Sequence, residues 1–250
     1  MIEIKSLASG SSGNAYRVSD SKTPLLLECG ISYKKLQEGL EFRLSEIEGC
    51  LVTHEHKDHC KAINEVTRAG INCHMSSGTK KALIDEKFIE DNHRLINRKV
   101  YDPFKIGSWV VKPFEAEHDA AKPYGYLLSS RETGDKLVYI TDSFYIKFKF
   151  NDLNYIMIEC NYSKKILDEN IAAGKVPMVQ KNRLLKSHFS LKNVKDFLKA
   201  NDLSKVREIH LLHLSNRNSD AKFFKEEIQE LTGKMVKVAE EYKGGNINVK

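Results

Sequence analysis

Between positions 53 and 59 the chain reads Thr-His-Glu-His-Lys-Asp-His, directly after the apolar run Cys50-Leu51-Val52. Three imidazoles and the Asp58 carboxylate, with Glu55 between, thus follow one short strand-like segment, in a sequence that has nine histidines altogether. A divalent cation in a hydrolase wants nitrogen and oxygen ligands on stiff backbone, with a coordination position left for water. A strand end and the tight turn after it can aim His54 and His56 at one cation and Asp58 and His59 at a second. A solvated polar loop could carry the same residues, but chance rarely places them at this spacing behind a buried strand.

The rest of the chain must supply strands and a core to hold such a turn. At 250 residues, 41% hydrophobic and 30% charged, it can bury a core without staples. No Pro, Gly or Ser linker marks a boundary, so one domain spanning residues 1–250 is expected. The start, MIEIKSLASGSSGN, lacks the apolar stretch of an export signal, and no run reaches membrane-span length. Five cysteines (Cys29, Cys50, Cys60, Cys73, Cys160) form no paired framework, which fits reduced, buried thiols and a cytoplasmic location. A net charge of +6 permits anionic substrates without demanding a nucleic-acid surface.

Strand-like runs are expected at Ile2 to Leu7, Ala15 to Val18, Pro24 to Glu28, Gly49 to Thr53, Trp109 to Phe114, Tyr124 to Leu128, Lys136 to Ile140, Tyr155 to Ile158 and Glu208 to Leu212. Helices are expected over 31–40, Cys60 to Arg68, after a cap at Ser76 or Ser77, over Leu191 to Ala200, and over Asp220 to Leu231. Two groups of strands with helices between and after them indicate a layered α/β domain.

THEHKDH resembles the metal-binding motif of the metallo-β-lactamase superfamily. That family's later ligands have counterparts in the same order: His118 in FEAEHDA, Asp142 in YITDS and His213 in HLLHLS. The resemblance spans nearly the whole chain and implies a four-layer αββα sandwich. SLASGSSGNAY, EHDAAKPYGY and KSHFSLKNVKDFL are similar to the YycJ/WalJ-type branch, near ribonuclease Z and related phosphodiesterases. Glu28 departs from the pattern, standing in Leu27-Glu28-Cys29-Gly30 where the family usually has aspartate.

The resemblance puts His54, His56 and His118 on one metal, Asp58, His59 and His213 on the other, and Asp142 between them. Zinc is the first assignment, with manganese or iron as alternatives. Hydrolysis is favoured over redox chemistry, because related di-iron enzymes carry glutamate where this chain has His56. His188, followed by Ser190 ahead of a helix, is assigned as a general acid, and Asp58 is counted with it as catalytic. Residues 174–192 hold Lys175, Lys181, Arg183, Lys186 and Lys192 and no acid, which suits an anionic substrate. Ser9 to Asn14 is a candidate phosphate rim, and equally a turn. His74, His93 and His210 fall outside the pattern. Asp119 could support His118 or be a surface carboxylate. Phe144, Tyr145, Phe148 and Phe150 could stack a base, though core packing or a subunit contact suits them better.

The function expected from these residues is a dinuclear phosphodiesterase. These 250 residues leave no room for an expected second domain or gripping arm, so a small 3′,5′-cyclic nucleotide is preferred; the chain is similar in size and motif to phage-encoded anti-Pycsar enzymes that destroy cyclic-nucleotide defence signals. The alternative is an exonuclease on single-stranded DNA or RNA, which the YycJ/WalJ resemblance favours. A thioester, lactone or β-lactam hydrolase would use the same ligands. No membrane partner is expected, and a homodimer would be ordinary for this branch.

Overall fold

The computed structural model describes residues 1–240; positions 241–250 of the expected 1–250 span lie outside the described residues. Two sheets carry the chain. The N-terminal sheet takes β1 (Glu3–Ala8), β2 (Ala15–Ser19), β3 (Pro24–Leu27), β4 (Cys50–Leu51), β5 (Cys73–Met75) and β6 (Leu95–Asn97), in sequence order across the sheet. Between these strands lie α1 (Tyr33–Gly39), α2 (Lys57–Cys60), α3 (Ile63–Arg68) and α4 (Ser77–Asp85). The second sheet runs from β7 (Phe104–Ile106) through β8 (Trp109–Glu115), β9 (Tyr124–Ser130), β10 (Lys136–Ile140), β11 (Tyr155–Glu159) and β12 (Glu208–Leu212) to β13 (Met235–Val238). Its helices are α5 (Lys164–Ala172), α6 (Met178–Ser187), α7 (Leu191–Ala200) and α8 (Ala221–Thr232).

Alternation along the strands builds the layers. Leu25 and Leu27 join Leu137, Tyr139, Tyr155 and Met157 in a core between the sheets, while Leu26 faces outward. Val138, Ile140, Ile156 and Ile158 face the other way, against Val194 and Phe197 of α7 and Phe224 and Ile228 of α8. Successive strand residues point to opposite faces, so strands that are apolar at every position must be covered on both sides. Leu36, Ile63, Val66 and Leu83 cover the first sheet in the same manner. The result is the αββα sandwich, as expected.

Several boundaries differ from the sequence-based expectation. The single helix expected over Cys60 to Arg68 is two, α2 and α3, because the chain turns helical already at Lys57 and breaks at Ala62 (φ −97°, ψ 16°). The strand expected over Gly49 to Thr53 is hydrogen-bonded only at Cys50 and Leu51. Beyond it, Tyr124 N donates to the Thr53 carbonyl (3.0 Å) and Tyr126 Oη to the Val52 carbonyl (2.6 Å), so the second sheet braces the histidine-rich turn. All five cysteines are buried and unpaired. Among the described residues no helix is long and apolar enough to cross a membrane.

Candidate metal centre

The donors come together because neighbouring parallel strands end at one edge. In β10, β11 and β12, Ile140 lies opposite Ile158 and Glu159 opposite Leu212, so Asp142, Glu159 and His213 emerge side by side. In the other sheet Leu27 of β3 lies opposite Leu51 of β4, which brings Glu28 up to the turn carrying His54. Glu28, Asp142 and His213 all have left-handed backbone, with φ of 61°, 42° and 51°. Such residues cost on the order of 1–3 kcal/mol each and persist only where their surroundings over-determine them. Here the constraints are visible: Glu28 N donates to Leu51 O (2.9 Å), Thr141 Oγ1 to Asp142 Oδ1 (3.0 Å) and His213 N to Ser9 Oγ (2.8 Å).

Two groups of the expected donors result, each within 4.8 Å: His54, His56, His118 and Asp142, and Asp58, His59, Asp142 and His213; a third, of Asp142, Glu159, His188 and His213, overlaps the second. All seven residues singled out in the sequence as metal ligands are thereby brought together, with Asp142 common to both groups. In the first group His56 Nδ1 faces His54 Nε2 at 3.0 Å and His118 Nε2 at 3.2 Å. In the second, His59 Nε2 lies 3.2 Å from Asp142 Oδ2 and 3.5 Å from Asp58 Oδ2, and His213 Nε2 lies 3.6 Å from Asp58 Oδ2. The acceptors around His118 Nδ1, the Ser187 carbonyl at 2.9 Å and Asp119 Oδ1 at 3.3 Å, place the ring hydrogen there and leave the Nε2 lone pair pointing into the group.

This donor set fits divalent cations. Buried polar atoms normally find partners, yet His213 Nε2, which faces the donors, is buried without one, and three imidazole nitrogens converge on each other. Imidazole and carboxylate donors that face one point suit a cation better than they suit each other. The electrostatics agree. Burial and the neighbouring His59 hold His54 neutral, well below its usual range. Burial opposes charge on His213 as well, but Asp142, Asp58 and Glu159 outweigh it and push that imidazole up to about 10. Protons on His59 and His213 thus balance the buried carboxylates, and cation binding would have to displace them.

His188, at the α6 to α7 junction, stands beside the same donors. Its ring stacks on His213 (centroids 5.4 Å apart, 11° between planes) and lies 5.6 Å from that of His118. Its Nδ1 is 2.5 Å from Glu159 Oε1. Glu159 was not singled out from sequence; fully buried, it also accepts from Ser143 N and Phe189 N, each at 3.2 Å. It ends the apolar strand YIMIE as Asp142 and His213 follow theirs, and that shared pattern was its available signal. Asn161, likewise missed, contacts His213 Nδ1 (3.1 Å), and Asn14, at the end of the candidate rim, contacts His59 Nε2 (3.2 Å). Glu28, despite its extra methylene, reaches the turn: both oxygens lie 3.3 Å from Thr53 N, and Oε1 lies 3.6 Å from His59 Nδ1.

The remaining candidates separate. Ser9 and Asn14 are used in bracing His213 and His59, while Ser11 lines the cleft over the donors. That cleft, of ≈ 330 Å³, is also walled by Asp58, Asn161, Arg183, His188 and Ser215. Of the basic segment, Lys181 pairs with Asp168, Arg183 approaches Asp119 (3.6 Å) and Lys192 pairs with Asp196, so much of its charge is balanced locally. Phe148 and Phe150 pack on Phe114, which makes them core rather than a base platform. His93 and His210 lie away from the donors; His210 pairs with Glu208 (2.9 Å).

His74 is buried too, stacked on Phe104 and accepting from Arg98 Nε (3.0 Å). Burial, and secondarily the Arg98 charge, lower its pKa to about 3. The folded protein therefore keeps His74 neutral down to that pH, whereas the unfolded chain protonates it near 6.5. Stability is full above 6.5 and falls as pH drops towards 3. The expected loss is about 2 kcal/mol between pH 6.5 and 5. Urea unfolding with chelator should show a shallower pH dependence in His74→Gln, which keeps an acceptor for Arg98 without titrating.

Gly30 sets a second expectation. A Cβ there would lie 1.7 Å from the Asp58 carbonyl oxygen and 2.7 Å from His59 N, so no side chain fits without moving the ligand-bearing turn. Gly30→Ala should destabilise the fold by about 3 kcal/mol, the upper end of ordinary overpacking. It should also lower bound metal per chain, read by elemental analysis of the purified protein.

An αββα sandwich whose strand ends converge histidines and aspartates in this way defines a metal-dependent hydrolase. The chain belongs to the beta-lactamase superfamily: residues 25–192 match the family model described as "Beta-lactamase superfamily domain". It is 29% identical over 231 residues to "Exodeoxyribonuclease YycJ" of Bacillus anthracis, covering 85% of this chain and 82% of that protein. It is 26% identical over 225 residues to "Exodeoxyribonuclease WalJ" of Streptococcus pneumoniae serotype 2, covering 85% and 81%. The metallo-beta-lactamase fold protein YhfI of Bacillus subtilis superposes with a TM-score of 0.72 over 96% of this chain and 98% of that one; at 14% identity this speaks to fold alone.

Proposed function

We propose that this chain is a dinuclear metal-dependent phosphodiesterase that removes nucleotides from the end of a single DNA strand. The observation that carries phosphodiester chemistry is His188 held at 2.5 Å by the buried Glu159, in contact with the donor groups. A departing alkoxide needs a proton, and an imidazole fixed through Nδ1 keeps Nε2 free to give one. Burial disfavours the charged ring, but Glu159 and Asp142 outweigh it and raise its pKa above the usual value, favouring the protonated form. Two divalent cations, one held by His54, His56, His118 and Asp142 and one by Asp58, His59, Asp142 and His213, would lower the pKa of water and offset phosphoryl charge. Zinc suits these donors, with manganese or iron as alternatives.

The sequence alone put a cyclic mononucleotide first. Two curated relatives, both named exodeoxyribonucleases and matched over most of their length, move the strand end ahead of it. The cyclic nucleotide stays as the second reading because a cleft of ≈ 330 Å³ holds one nucleotide unit. The test is a panel of single-stranded DNA, 3′,5′-cyclic mononucleotides, bis-p-nitrophenyl phosphate and a thioester, each with and without chelator. Chelator-sensitive shortening of the strand is expected. Thioester cleavage without any phosphodiester cleavage would overturn the proposal, and turnover of cyclic nucleotide alone would promote the second reading.

A further inference from the structure

A second groove, ≈ 520 Å³, lies between α5, α7 and α8. Each of its three walls continues a chain segment that begins in the catalytic cleft. Asn161 of the cleft leads to Lys164 and Lys165 at the start of α5, and His188 leads to Lys192 and Lys195 of α7. These two segments are joined by a parallel bridge between Tyr162 and Ser190, so they leave the cleft in the same direction. The third runs from His213 and Asn218 to Phe223 and Glu227 of α8, and is tied to the first where Ser163 N donates to the Asn218 carbonyl (2.9 Å).

The lining sets four lysines and an aromatic ring beside apolar Ile166 and Leu191 and the carboxylates of Glu169 and Glu227. Among the described residues Lys164 and Lys165 are exposed and make no ion pair, whereas Lys195 pairs with Glu227 and Lys192 with Asp196. Phe223 is 40% exposed on the α8 wall, its ring resting partly against Phe224 (centroids 6.1 Å apart) and leaving the rest open to the groove. Cations that follow a backbone, with an aromatic face for bases, are how single strands are gripped without sequence preference. We propose that this groove receives the sugar-phosphate backbone of single-stranded DNA whose terminus occupies the catalytic cleft, an inference that rests on the strand-end reading above. Phosphates meet Lys164 and Lys165, and a base stacks on Phe223.

The test compares the metal-loaded wild type with the double variant Lys164→Ala, Lys165→Ala and with Phe223→Ala, on an oligothymidylate, a thymidine dinucleotide and bis-p-nitrophenyl phosphate. The altered side chains are exposed, and matched melting curves check folding. For the oligomer, KM should rise about tenfold in the double variant and about five- to tenfold in Phe223→Ala, with kcat changed less than about twofold. The slope of log(kcat/KM) against log salt should become shallower by about 1.4 in the double variant, from two lost phosphate contacts. Dinucleotide and aryl diester, too short to reach the groove, should be unaffected. Unchanged oligomer kinetics in both variants would overturn the groove while leaving the strand-end reading intact. A wild type that hydrolyses the aryl diester or a cyclic nucleotide but never shortens the oligomer would overturn that reading and the groove with it.

Discussion

Asp142→Ala is expected to lose metal from both donor groups at once, because its carboxylate is the member they share. Each group would keep three donors, but the two would no longer be joined by a common anion. The buried His54 and His59, now only 3.8 and 3.2 Å from where that anion was, would face the incoming charge without it. Activity should fall by at least about 1,000-fold in kcat/KM, since charge stabilisation by the cations is worth several kcal/mol. Elemental analysis decides the matter. His74→Gln, outside both groups, should retain its full metal complement, and equal metal loss in the two variants would remove the bridging assignment.

The second large effect belongs to His188. If this imidazole protonates the leaving oxygen, His188→Ala should keep its metals and lose about 100 to 10,000-fold on a nucleotide diester, whose alkoxide departs poorly. On an aryl diester the deficit should shrink, because a phenolate leaves without that proton. Glu159→Gln supplies an internal check. It keeps a hydrogen-bonding side chain against Ser143 N and Phe189 N but removes the negative charge that raises the His188 pKa. Its acidic-side activity profile should therefore persist while the alkaline limb moves to lower pH. A His188→Ala enzyme slowed equally on both substrates would have lost a binding or structural group instead.

The histidine-rich turn was legible because its donors are adjacent in the chain, whereas His118, Asp142 and His213 were picked out by the order in which the family resemblance places such donors. The converging sheet edge that unites them was legible only through resemblance. Glu159 was missed for a physical reason: a glutamate closing an apolar strand looks like any solvent-facing strand end until the parallel register with β12 shows it turned inward. Helices α5 and α6 were passed over because periodicity had little to register. α5 buries Leu167 alone, and the apolar residues of α6 (Met178, Val179, Leu184, Leu185) all stay at least partly exposed. The break at Ala62 was hidden for the opposite reason, since apolar residues continue across it and the ligand geometry, rather than composition, starts the helix at Lys57.

Parallel strands that deliver all their chemistry from one end leave the other end free for handling. The hairpin turn of residues 131–135 enters β10 from the side away from Asp142, about 16 Å of strand distant. Its Gly134 has nothing within 4 Å of where a side chain would begin, and Arg131 and Glu132 are exposed. A cysteine introduced at Glu132 would be the chain's only surface thiol among the described residues, since the five native ones are buried. A fluorophore or a surface tether attached there would report on, or immobilise, a working enzyme with its cleft facing away from the support.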